Sequence, residues 1–139
     1  MFRFAAVAVV ALLAAGGAHA GDPAKGEATT AKRCKTCHTI ADGDNVILKG
    51  GKTGPNLFAV IGRKAGAADF KYGDSLIAAG EKGLVWDEAS IIAYLEDPKA
   101  YLAAYLDDSK ARSKMAFKLK DEADRADVAA YLASLPHTN

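Results

Sequence analysis

Cys34-Lys35-Thr36-Cys37-His38 is the stretch on which the reading of this chain turns. Cys-x-x-Cys-His is the attachment signature of a c-type haem. Two thiols at this spacing can each bond one of the two vinyl-derived carbons on one porphyrin edge. The adjoining imidazole then reaches the iron from the proximal side. On this reading the hard chemistry belongs to a cofactor, and the polypeptide must hold it, tune it and present it.

Toward the N-terminus, Met1 to Ala20 reads as a secretory leader. Arg3 supplies a short positive region, Phe4 to Ala15 an apolar core too short to span a bilayer comfortably, and Ala18-His19-Ala20 a small-x-small cleavage pattern. Gly21-Asp22-Pro23 then reads as a new start, so cleavage is expected after Ala20, an uncleaved anchor being the alternative. No later segment is long or apolar enough to span a membrane. Cleavage leaves residues 21–139, about 119 residues and one domain's worth. Without Arg3 the chain holds 17 basic and 17 acidic side chains. Such a balance argues against nucleic-acid binding, which calls for a basic excess. Export places both cysteines in an oxidising compartment, where a free pair would form a disulfide.

Beyond the motif the recognisable segments read as helices. Asp22 can cap a first helix with Pro23 at its first position, running toward Cys34. Lys49 to Gly66, rich in glycine and holding Pro55, reads as loop. A short apolar turn fits Asp74 to Ala79, closed by Gly80 and Gly83. Asp87 caps a helix to Asp97 with Ile91, Tyr94 and Leu95 on one face and Pro98 as its stop; a further helical piece spans Lys99 to Leu106. A last helix, about Asp121 to Leu135, opens with acidic residues that suit its dipole. It carries Val128, Tyr131, Leu132 and Leu135 on one stripe, and Pro136 ends it. No strand pairing stands out. The expected architecture is all-α with long loops.

A second axial ligand separates electron carriers from ligand-binding or catalytic haems. Met1 leaves with the leader, so Met115 is the only thioether of the mature chain. Charged neighbours in Lys114-Met115-Ala116-Phe117-Lys118 do not suit a core helix, which favours Met115 as ligand over a gap-filling role. His137 competes, but it sits close to a chain terminus, where fraying is common.

These segments together resemble the class I c-type cytochromes, most closely the cytochromes c2 of purple photosynthetic bacteria. The resemblance rests on Cys34 to His38, Thr53-Gly54-Pro55-Asn56-Leu57, Gly62-Arg63-Lys64-Ala65-Gly66, Trp86, Tyr94-Leu95-Glu96-Asp97-Pro98, Lys114 to Phe117 and Val128-Ala129-Ala130-Tyr131-Leu132. They run in family order over nearly the whole mature chain. It implies a class I cytochrome c fold around one haem c bonded to Cys34 and Cys37, with His38 and Met115 as axial ligands. The Pro55 carbonyl would orient His38. Arg63, Tyr72 and Trp86 would hold a haem propionate, with core aromatic packing as the blander role for Tyr72 and Trp86. Tyr94 would pack beside the methionine sulfur, and Ser113 stands where many relatives carry threonine. Lys35, Lys99, Lys114 and Lys118 would ring the exposed haem edge and steer docking on an acidic partner, although any helical domain needs a charged exterior.

Two departures stand out. Thr30 occupies a position, four residues before the first haem cysteine, where relatives carry an aromatic facing the C-terminal helix; on that basis Thr30→Phe is expected to stabilise the fold. Asp44 to Lys49 looks like a small insertion, and extra sequence lies between Tyr101 and Lys114.

The function implied is that of a non-enzymatic periplasmic electron carrier, monomeric and without stable membrane insertion. Its donor would be the cytochrome bc1 complex, and its acceptor a photosynthetic reaction centre or a terminal cytochrome oxidase. A ligand-binding or peroxidatic haem protein is the alternative if Met115 is off the iron. A thiol–disulfide oxidoreductase using Cys34 and Cys37 ranks below both, since it lacks a βαβ pattern and leaves His38 and Met115 idle.

Overall fold

A computed structural model describes residues 20–136. The expectations for the leader residues before Ala20 and for His137 lie outside the described residues. Five helices and one small hairpin follow in order: α1 (Pro23–Arg33), β1 (Ile40–Asp42), β2 (Asn45–Leu48), α2 (Asp74–Glu81), α3 (Glu88–Glu96), α4 (Pro98–Leu106) and α5 (Glu122–Ser134).

Local chemistry fixes the helix starts. The Asp22 carboxylate accepts from the Ala24 N–H at 2.9 Å, with Pro23 supplying a preset first turn. Asp87 and Ser90 form a reciprocal capping box at α3. Asp97, in extended conformation, ends α3 and begins α4, where its carboxylate accepts from the Ala100 N–H at 3.0 Å. Pro98 is therefore both the stop for one helix and the first residue of the next. Asp121 caps α5 in the same way, with Glu122 and Asp124 in the first turn.

The largest helix contact is α1 across α5. Gly26 makes it possible: a Cβ there would collide with the Asp127 carbonyl oxygen. On α5, Val128, Tyr131, Leu132 and Leu135 are all buried as their spacing predicts, with Tyr131 against Gly26. The Asp22 N–H donates to the buried Asp127 carboxylate at 2.7 Å, tying the start of α1 to α5. Thr30 is fully buried and its hydroxyl has no hydrogen-bond partner. An aromatic ring at this enclosed position would have to displace its neighbours, which sets the stabilisation expected for Thr30→Phe against a cost of overpacking.

Two local expectations are corrected. Residues 40–48 form an antiparallel hairpin, with Ala41 opposite Val46, Asp42 opposite Asn45, and an irregularity between Ile40 and Ala41. Gly43 adopts φ 56° in the two-residue connection, the conformation such turns demand. The sequence hid this because the strands show no alternating burial: Ile40 is fully enclosed while Val46 and Ile47 face solvent. The apolar turn expected at Asp74 is a full helix running through Gly80 to Glu81.

Candidate haem site

The Cys-x-x-Cys-His segment leaves α1 as one tight turn. The Cys34 carbonyl accepts from both the Cys37 N–H at 3.1 Å and the His38 N–H at 3.0 Å. The glycine-rich loop folds back over it, with the Gly54 N–H donating to the Cys37 carbonyl and the Gly51 N–H to the Lys35 carbonyl, each at 2.8 Å. A Cβ on Gly54 would strike the His38 imidazole, so the ring lies flat against bare backbone. The next residue completes the arrangement: His38 Nδ1 donates to the Pro55 carbonyl at 2.7 Å.

That bond settles the tautomer. A carbonyl only accepts, so Nδ1 carries the proton and the neutral ring keeps a lone pair on Nε2. Burial holds the His38 pKa below its ordinary value, with the Pro55 bond opposing in part. Cys34 and Cys37 make no disulfide with each other; Cys34 is buried, and as a thiol it is pushed up to about 11 by that burial, against the opposing charge of Arg33, while Cys37 is exposed.

All of these groups face one cavity of about 390 Å³, within the range of small-molecule and cofactor sites. Its wall includes Cys34, Cys37, His38 and Pro55 from the turn and loop, and Met115 from the irregular segment between α4 and α5. Arg63, Tyr72, Trp86 and Tyr94 line it as well. Backbone pairing explains how Arg63 meets Trp86, since the Trp86 N–H donates to the Arg63 carbonyl at 2.9 Å beside the Lys64–Val85 bridge. Arg63 donates to the Asn56 carbonyl at 3.0 Å and the Phe58 carbonyl at 3.3 Å. Among the described residues no acidic side chain lies within ion-pairing distance of it. Burial lowers its pKa, opposed by Tyr72, but a guanidinium stays charged. A half-buried cation on a cavity wall with no acid beside it suits an anionic group of a ligand.

Met115 is partly buried. The Ser113 hydroxyl donates to the Met115 carbonyl at 2.9 Å, and burial raises the Tyr94 phenol, with Ser113 offsetting it in part. Both ends of this segment are tied down. On one side the Arg112 N–H donates to Ser75 Oγ at 3.0 Å, and Lys114 Nζ to the Lys71 carbonyl at 2.7 Å. On the other, Lys118 pairs with Asp97 at 2.6 Å and the Leu119 N–H donates to the Leu95 carbonyl at 2.8 Å. Of the four lysines expected to dock a partner, Lys35 and Lys99 are exposed on α1's exit turn and α4, while Lys114 and Lys118 are engaged in these ties.

Sequence reasoning missed Arg125. Its guanidinium is buried and donates to the Leu119 carbonyl at 2.9 Å and the Lys120 carbonyl at 2.7 Å. The signal was present: Arg125 shares the helical face of Val128, Ala129 and Leu132. Arg33 over the Phe117 ring, 5.6 Å from its centroid, was also unforeseen.

The residues fit a haem: two thiols one turn apart, an oriented imidazole lone pair, a thioether and an unpaired cation share one cavity wall. Motif, helical wrap and cavity agree on one class of protein, a haem protein of the class I c type. The family model for cytochrome c matches residues 23–136. The chain belongs to the cytochrome c family. It is 52% identical over 132 residues to the cytochrome c2 of Rhodobacter capsulatus, covering 94% of each chain. It is 58% identical over 116 residues to the cytochrome c-551 of Roseobacter denitrificans, covering 83% of this chain and 81% of that one. Among solved structures, a cytochrome c2 from Rhodobacter sphaeroides superposes with a TM-score of 0.81 at 46% identity, covering 86% of this chain and 99% of that one. The cofactor is accordingly one covalently attached haem c, and the family's business is electron transfer.

Proposed function

We propose that this chain is a soluble, periplasmic, single-haem electron carrier with His38 and Met115 as the two axial ligands and Cys34 and Cys37 as the covalent attachment points. The observation that carries the reading is the His38–Pro55 bond at the wall of a cavity that Met115 also lines. It aims an imidazole lone pair where an iron ligand is needed. Bound haem c supplies a reversible one-electron ferric–ferrous couple.

The chain's residues then have distinct tasks. Pro55 and Gly54 fix the plane of His38. Arg63, with Tyr72 and Trp86, neutralises a propionate in a half-buried setting. Tyr94 shares the cavity wall with the thioether, Ser113 holds the Met115 carbonyl, and the apolar wall excludes water. A thioether ligand and a low-dielectric surround both favour the reduced state and a high potential. With both axial positions taken no open coordination site remains for a substrate, so the protein is a carrier and not an enzyme.

On this reading Met1 to Ala20 is removed on export, and residues 21–139 work as one monomeric domain. The cytochrome bc1 complex is the donor, and a photosynthetic reaction centre or cytochrome oxidase the acceptor. Lys35, Lys99, Lys114 and Lys118 form the docking face, and contact is brief and salt-sensitive.

The test is the visible and near-infrared spectrum of the periplasmically matured protein. Low-spin haem c bands with a weak sulfur-to-iron band, lost in Met115→Ala, are expected. High-spin bands in the native protein would overturn the assignment of Met115.

A further inference from the structure

We propose that Arg125 is a positioning residue for Met115, and that its guanidinium clamps the end of the segment that presents the thioether. The inference rests on Met115 being the distal ligand.

Met115 has no helix or strand to hold it; the chain between α4 and α5 is irregular throughout. Its placement therefore depends on the points where that segment is fastened. Those before Met115, at Arg112 and Lys114, are exposed hydrogen bonds to Ser75 and Lys71. Just after it come Lys118–Asp97, an exposed ion pair of a kind that contributes little and is screened by salt, and the backbone bond from the Leu119 N–H to the Leu95 carbonyl, which holds only the amide side of Leu119. Arg125 differs in kind. It is 6% exposed, and one of its nitrogens donates to two successive carbonyls, Leu119 and Lys120, at 2.9 and 2.7 Å. Among the described residues its bond to Leu119 is the one side-chain hydrogen bond that is buried.

Packing alone does not account for an arginine here. The nearest acid, Glu96, is 3.8 Å away and largely exposed, while the Arg125 Nε has no partner. Enclosing a guanidinium on such terms is costly, and an apolar side chain would fill the same stripe as Val128, Ala129 and Leu132 without that cost. What an apolar residue lacks is a donor for the two carbonyls. Leu119 is four residues beyond Met115, a reach of at most about 14 Å even in extended chain. Slack at Leu119 and Lys120 is therefore slack at the sulfur.

The experiment follows two signals through guanidinium titration of the haem-loaded protein: the sulfur-to-iron band and the far-UV circular dichroism. Arg125→Lys keeps the charge but ends one bond short of the nitrogen that reaches the two carbonyls. Tyr131→Leu, on the α1 side of α5, is the control for plain destabilisation. In Arg125→Lys the fraction of molecules without the band should rise at least tenfold at denaturant concentrations where the helical signal is intact. In Tyr131→Leu the two signals should fall together.

Coincident loss of band and helix in Arg125→Lys would overturn the proposal alone. A band that survives in Met115→Ala would overturn the ligand assignment and the proposal with it, so the two failures are distinguishable. Should Arg125→Lys not accumulate, hydrogen exchange of the wild-type protein decides. The Leu119 amide must then exchange through the opening that loses the band, ahead of the α5 amides; exchange only with α5 would overturn the proposal.

Discussion

Ala59 is held at φ 54°, a left-handed conformation that a Cβ disfavours by about 1–2 kcal/mol. Glycine adopts it freely at the cost of a looser unfolded chain, so Ala59→Gly should stabilise by about 0.5–1 kcal/mol, seen as a raised melting temperature. Thr30→Val removes the buried, unpartnered hydroxyl at nearly constant volume and should add about 1 kcal/mol, read from the denaturation midpoint. A lower midpoint would mean that the hydroxyl finds a partner in solution. Single residues were legible where chemistry dictates residue type. Cys34, Cys37, His38 and Met115 stand out as candidates because few side chains bond porphyrin or iron, and the structure brings all four to one cavity wall, with Pro55 bonded to His38 as the resemblance implied. Thr30 and Arg125 were opaque for the opposite reason. Whether a polar atom is buried, and whether it is then satisfied, depends on what packs over it and not on its neighbours in sequence.

Elements announce themselves through their ends. Asp22, Asp87 and Asp121 each cap a helix that the sequence had placed to within a residue or two, and all three use the carboxylate as acceptor for early backbone N–H groups. The hairpin was missed because its strands are mostly exposed and show no alternation, and the full length of α2 because Gly80 near its end reads as a stop. Two substitutions probe this scale. Gly26→Ala drives a methyl into the Asp127 carbonyl and should destabilise by about 2–3 kcal/mol, lowering the guanidinium midpoint without altering the slope. Asp87→Ala removes a capping box and should cost about 1 kcal/mol at neutral pH. The Ser90 N–H and hydroxyl hold the Asp87 pKa below its ordinary value. The cap's contribution is thus complete above the unfolded carboxylate range and lost as pH falls through the folded value. Wild type and variant should therefore converge in strong acid; a gap that persists there would show that the Asp87 charge is not what caps the helix.

For the molecule as a whole, charge placement matters more than charge total. The formal net charge of the chain is only +1, so steering toward an acidic surface must come from local asymmetry. The four lysines are not equivalent in this respect. Asp97 already offsets Lys118, whereas Lys35 and Lys99 make none of these ties. Lys35→Glu or Lys99→Glu should slow low-salt association with an acidic redox partner several-fold, more than Lys118→Glu, with the differences shrinking at high ionic strength. Stopped-flow rates across a salt series would check this, and equal effects at all three positions would count against it. The overall wrap was readable because ordered motifs run from Cys34 to Leu132. Fine surface pairing was not, because exposed ion pairs depend on which loops meet.

Asp97 closes α3 with its extended backbone, while its carboxylate opens α4 and holds Lys118 beside the Met115 segment. A substitution there acts pleiotropically: secondary structure, corner geometry and redox behaviour would shift at once, and no phenotype could be assigned to a single cause. Lys118 is the cleaner handle, since changing it releases the tether while leaving the helical corner intact.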